Sequence, residues 1–236
     1  MSAKLDAQGT LRGFKRMAPV SLFVVAFGLA FGVAAIQHGL SSLETLLMSG
    51  LIFAGASQFA ALELWGPTIP LTALVATTFA INARHLLMGA SLYPWLRHLP
   101  PGQRYACLGV MSDSNWAMAV GDHQRGETNV GVLFGGGIAL WTAWMLGTLL
   151  GVVFGSGISE PERFGLDVIM GCFLLAMLVG SKHKPSLALL LPWCVAGGAA
   201  LLALYYLPPN AHVIVGALAG GLTGLLTPQT SPQKEA

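Results

Sequence analysis

Long apolar runs separated by short polar breaks dominate the chain. The runs lie at 17–37, 44–63, 66–83, 84–97, 105–121, 130–156, 165–181, 185–207 and 211–227. Most approach or exceed the roughly 20 residues that carry a helix across a bilayer. They are continuously apolar rather than alternating, which argues against a β-barrel. In lipid every backbone group must be satisfied within the segment, so the pattern predicts helices. The expected fold is an all-α polytopic membrane protein of about 7–9 membrane helices or half-helices. The run 84–97 is short and opens with Arg84 and His85. It predicts a half-helix, with a broken or re-entrant junction to 66–83 near residues 82–86.

The connections are brief and polar, among them "RHLPPGQR", "GDHQRGET" and "SKHKP". None is long enough to hold a folded extramembrane domain. A first segment 1–16, a transmembrane domain 17–227 and a disordered tail 228–236 are therefore expected. The apolar stretch Met17 to Gln37 exceeds the 7–15 residues of a signal peptide's apolar region, which predicts a retained first helix.

Composition agrees with a membrane setting. Of the 236 residues 54% are hydrophobic and 9% charged, against about 25% charged in an ordinary soluble domain. A net charge of +2, with Lys and Arg at span ends, gives no basic stripe for nucleic acid. Cys107, Cys172 and Cys194 lie inside apolar runs and form neither a zinc pattern nor a disulfide framework. No cofactor or metal is implied.

Short-loop cations set orientation. Arg12, Lys15 and Arg16 put the N-terminus in the cytoplasm, and Arg97 and Arg104 put the 97–104 loop there too. The two agree only if 84–97 returns to the cytoplasmic side; Lys182 and Lys184 then fall outside, against the rule. The segments "GLIFAGASQFAAL" (50–62) and "GLDVIMGCFLLAML" (165–178) echo each other. They suggest inverted repeat halves, 17–121 and 130–227, of the kind found in secondary transporters. Gly28 and Gly32, then Gly147, Gly151 and Gly155, then Gly216, Gly220 and Gly224 recur at every fourth position. Small residues so spaced let helices approach closely, within one subunit or between two.

Ionisable groups at membrane depth cost roughly 2.5–3.5 kcal/mol on insertion scales, so each raises a functional question. Gln58, beside Ser57 in "GASQF", offers an amide to a substrate carboxylate or ammonium, or an interhelical hydrogen bond. Glu63 reads as interfacial. Arg84 keeps its proton, so at depth it requires an anionic partner or substrate group; near the surface it reaches the headgroups. Asn82 adds an amide at the expected helix break. His85 is a proton carrier or a hydrogen-bonded packing residue. Asp113 is Arg84's structural partner, a proton carrier, or counter-ion to a substrate ammonium, with Ser114 and Asn115 suiting a wet cavity. Asp167, at a span start, reads as a helix-dipole partner. The candidate substrate-binding set is therefore Ser57, Gln58, Asn82 and Arg84, and the candidate proton-coupling pair is Asp113 and His85.

No nucleophile elbow, HExxH or phosphate-binding glycine loop is present, which speaks against an enzyme. No ring of like charges suggests a channel. Two readings remain, a secondary transporter and a non-transporting membrane scaffold whose polar groups only join helices.

Over nearly its whole length the chain resembles the AzlC family, the large subunits of branched-chain amino acid exporters. The resemblance rests on "GFKRMAPVSLFVVAFGLAFG", "AGASQFAAL", "NARHLLMGASL" followed by Pro94 and Leu96, "MSD", and "FGLDVIMGCFLLAML". Where the family often carries a second acidic residue after the aspartate, this chain has Ser114. The resemblance implies export of leucine, isoleucine, valine and methionine across the inner membrane by proton exchange. It also implies a small AzlD-type membrane subunit as partner.

Overall fold

The computed structural model describes residues 4–155, 187–207 and 211–227, and every regular element in them is a helix. Asp167, Cys172, Lys182, Lys184, the second copy of the echo and the 228–236 tail lie outside the described residues.

Two long helices form the axis. Asp6 opens α1 (Ala7–Gln37) by accepting from the Gly9 N–H, and Pro19 is tolerated inside it. Helix α8 (Gly131–Gly155) runs parallel to α1 along its length. The glycines explain how closely they pack. A methyl group at Gly28 would meet the Trp144 carbonyl oxygen at 2.6 Å, and one at Gly151 the Leu29 oxygen at 2.3 Å. Any side chain at these positions would drive backbone against backbone. Gly216 and Gly220 likewise face Ala200 and Ala196 across the hairpin of α9 (Leu187–Tyr206) and α10 (Ala211–Leu226). The every-fourth-residue pattern is thus used within one chain.

Between these helices the chain folds into two shorter hairpins that start from opposite ends of the axis. A Ser41–Glu44 capping box opens α2 (Ser42–Leu51) at the Gln37 end. Its far end hydrogen-bonds to α8 through Ser49 and Thr148, 2.9 Å apart, and through the Trp141 indole to the Gly50 oxygen. The chain turns at Ile52–Ala54, and α3 (Gly55–Leu62) runs back. Gly55 lies against Trp144 and Phe27, and Phe59 packs against Phe27 and Phe31. The run 44–63, expected as one span, is therefore a hairpin that returns to its own end.

Helix α4 (Leu71–Asn82) then leads the other way into α5 (Arg84–Leu96). The expected junction near 82–86 is present but slight: Ala83 interrupts the helix while keeping helical torsions, φ −54° and ψ −28°. The two arms together span Leu71–Leu96 as one apolar crossing. Helix α6 (Pro101–Gly109) enters from the Ala7 end, and after a turn at Val110–Ser112 helix α7 (Asp113–Gln124) returns there. Asn115 pins this turn by donating to the Val110 and Leu133 oxygens, both at 3.0 Å.

Among the described residues three helices are long and apolar enough to cross a membrane, Ala7–Gln37, Leu71–Leu96 and Gly131–Gly155. The protein is an all-α polytopic membrane protein. Lys4, Arg12, Arg16, Arg97, Arg104 and Arg125 gather at the Ala7 end, where Arg12 pairs with Glu127 and Arg16 with Asp122. A first crossing, a hairpin that does not cross and a second crossing bring the 97–104 loop back to this end.

Candidate functional site

The two hairpin tips and the α4–α5 junction meet beside the middle of the axis. They enclose a cavity of about 80 Å³, enough for several waters at roughly 10–15 Å³ each. Phe53 to Ala56 of one tip, Ser112 to Ser114 of the other, and Arg84 and His85 form its polar side. Val24, Phe27, Leu140 and Trp144 form its apolar side.

Three helices therefore begin at one place. A helix start carries unpaired N–H groups and a partial positive charge. Ala54 offers α3 no side-chain cap, so the first-turn amides of α3 face the cavity without an intrahelical acceptor. At α7 the N-cap itself is braced: Asn115 accepts from the Ser112 N–H at 2.6 Å.

Arg84 and Asp113 are paired across the cavity, Nη1 to Oδ2 at 3.2 Å, with side chains 38% and 25% exposed. A pair that open to water contributes about 0–1 kcal/mol, so a ligand with both charges can replace it cheaply. Arg84 Nε and the Trp144 indole N–H are buried and have no hydrogen-bond partner. His85 Nδ1 lies 3.2 Å from the Asn82 oxygen, which leaves its other ring nitrogen for the cavity. The site thus holds one carboxylate, already engaged, against a surplus of donors, and its chemistry suits an anionic group next to a cationic one.

The remaining predicted residues are distributed behind this site. Asn82 donates to the Ser57 hydroxyl at 3.0 Å, and Ser57 donates to the Ala54 oxygen at 2.9 Å. This chain braces the α3 tip from the side of α4. Gln58 is fully buried but lines a separate cleft between α2, α3 and α4, where neither amide atom has a partner. Arg84, His85 and Asp113 come together; Ser57 and Asn82 support them, and Gln58 stands apart. Sequence reasoning missed Trp144 and the α3 start, whose one sign was Gly55, the glycine that lets the Trp144 ring approach. Among the described residues no group of three His, Cys, Asp or Glu side chains could hold a metal ion.

The sequence pattern of the family described as AzlC protein matches residues 19–158, a stretch that carries both hairpins and the whole cavity. An uncharacterized membrane protein of Archaeoglobus fulgidus is 31% identical over 208 residues, covering 86% of this chain and 89% of that protein. The inner membrane protein YgaZ of Escherichia coli is 26% identical over 92% of this chain and 89% of its own length. The branched-chain amino acid transport protein AzlC of Bacillus subtilis is 26% identical over 92% of this chain and 84% of its own. No solved structure matches the chain. With the family pattern spanning more than half of it and relatives aligned along nearly all of it, the chain belongs to the AzlC family.

Proposed function

We propose that this protein is the large subunit of a two-component exporter. It would carry leucine, isoleucine, valine and methionine out of the cell by proton antiport, together with a small AzlD-type membrane subunit. The cationic Ala7 end faces the cytoplasm, as the short-loop rule requires of an inner membrane protein. The observation that carries the reading is the cavity where the two hairpin tips meet. It sets a cation–carboxylate pair against an apolar wall, the complement of an aliphatic zwitterion.

On this reading the substrate carboxylate is received by Arg84, the Trp144 N–H and the first amides of α3. Its ammonium is received by Asp113. The side chain lies on Val24, Phe27 and Leu140. Ser57 and Asn82 hold the α3 tip in place. Asp113 binds either the substrate ammonium or a proton, and this exclusion couples export to proton entry, with His85 passing the proton along. Hairpins reaching inward from opposite ends supply the broken helices around which transporters alternate access.

The test is intracellular isoleucine after dipeptide feeding, in cells with and without the chain and its partner. The chain should lower isoleucine accumulation, and Asp113→Asn should abolish that effect while the protein still assembles. The Arg84–Asp113 contact also favours a second reading, a scaffold in which the pair only joins helices. That reading requires isoleucine levels to be indifferent to the chain.

A further inference from the structure

The Gln58 cleft lies on the other side of α3 from the polar cavity, and only the tip segment 52–58 separates them. Phe53 to Ala56 face the cavity, whereas Ile52, Ser57 and Gln58 face the cleft. The cleft is an open groove of about 440 Å³, within the roughly 300–1,000 Å³ usual for small-molecule sites. Its walls are aliphatic, from Leu40, Leu47, Met48, Leu51 and Leu74, and it runs toward Glu44 near the Gln37 end. In the middle of this apolar surface sits a primary amide with 0% exposure and neither Nε2 nor Oε1 hydrogen-bonded. Buried polar groups in membrane proteins are normally paired. Neither amide atom is reached from the cleft as it stands, so a ligand that brings one donor and one acceptor pairs with it only once the α3 tip gives way.

We propose that this cleft is a second station for the same aliphatic amino acid, on the Gln37 side of the Arg84–Asp113 cavity. The proposal rests on the export reading above. At this station the Gln58 N–H₂ donates to the carboxylate and its carbonyl accepts from the ammonium. Ser57 and Thr78 border the head group, and the side chain lies among Met48, Leu51 and Leu74. Passage between stations requires the α3 tip to yield, which the Asn82–Ser57 hydrogen bond opposes. The α2 arm stays in place through Ser49 and Gly50 on α8. The polar cavity then selects the zwitterion and the cleft selects the size of its side chain.

Two variants of the full chain test this in cells co-expressing its partner. Gln58→Leu removes the amide, and Leu51→Trp fills the cleft from a position 81% exposed, where folding tolerates the change. Both should lower isoleucine efflux at least tenfold. Leu51→Trp should spare efflux of the smaller valine, raising the valine to isoleucine ratio at least fivefold. Isoleucine should still protect a cysteine placed at Ala56 from maleimide in both variants, since the first station is intact. Wild-type efflux in both variants overturns the second station while leaving the export reading standing. If the wild-type chain itself moves no isoleucine, both fall.

Discussion

Arg84 keeps a planar, fixed charge in a place where one oxygen of Asp113 occupies only Nη1 and Nε is left over. Replacing the guanidinium with an ammonium removes the fork while keeping the charge. Arg84→Lys should therefore reduce isoleucine efflux at least tenfold without changing the amount of protein in the membrane; wild-type efflux would remove Arg84 from the site. Trp144→Phe deletes one donor and little else. A hydrogen bond to a charged group is worth about 1.5–3 kcal/mol, so half-saturation for isoleucine should rise roughly tenfold or more. An unchanged concentration dependence would show that the indole N–H does not touch substrate. Arg84, His85 and Asp113 were legible in the sequence because charge inside an apolar run needs a reason. Trp144 was not, because an aromatic in such a run looks like any core residue. Gln58 faces the cleft and not the polar cavity. Two residues along a helix turn a side chain by about 200°, so Ala56 lines the cavity while Gln58 lines the cleft.

Among the elements, the α1–α8 seam is fixed by backbone contact through glycine. Gly151→Leu would place its Cβ 2.3 Å from the Leu29 oxygen, and overpacking of this kind costs typically about 1–3 kcal/mol. The detergent-solubilised protein should unfold at a clearly lower temperature. Gly221→Leu is the matched control, since nothing lies within 4 Å of a Cβ there. Equal loss in both variants would mean that the added bulk itself, not close approach across this seam, sets the effect, since helix propensity favours both substitutions. The hairpin of α2 and α3 was hidden in the sequence. Hydropathy runs unbroken through "LIFAGASQF", and a chain that reverses has the same composition as one that continues. Only Gly55 and the uncapped Ala54 mark the turn. The junction at Ala83 was easier, because polar side chains flank it.

At the scale of the whole molecule, a polar clasp closes the cationic end. Lys4 exchanges backbone hydrogen bonds with Thr128 and Val130, and Asp6 accepts from the Asn129 side chain at 2.6 Å. The Gly9 N–H, the Asn129 amide and Lys4 hold the Asp6 carboxyl well below the usual carboxylate range. The Asn129 backbone N–H, with the charge of Arg12, lowers that of Glu127. A carboxyl lowered by folding adds stability above its unfolded value, roughly 4, and loses it as pH falls through its folded value. The clasp should therefore be intact at neutral pH and open progressively below about pH 4. Unfolding temperature measured across that range should fall less steeply in Asp6→Asn than in wild type; parallel curves would exclude Asp6 from the acid response. That Arg12, Arg16, Arg97 and Arg104 share an end was legible from the short-loop cations, although the path joining them was not the one that hydropathy suggested.

The bond between Ser49 and Thr148 joins residues 99 positions apart, and this has a consequence for how the protein is made. Arms of ten and eight residues are too short to enter a bilayer alone. At about 5–20 residues per second, α8 leaves the ribosome roughly 5–20 seconds after α2. During that interval the hairpin has only α1 to lean on, through Phe27 and Phe31 against Phe59, so the seating of Ser49 on α8 is a late, post-insertion event. Chains truncated before Gly131 should leave a cysteine at Ser49 open to water-soluble maleimide, and chains ending after Gly155 should close it.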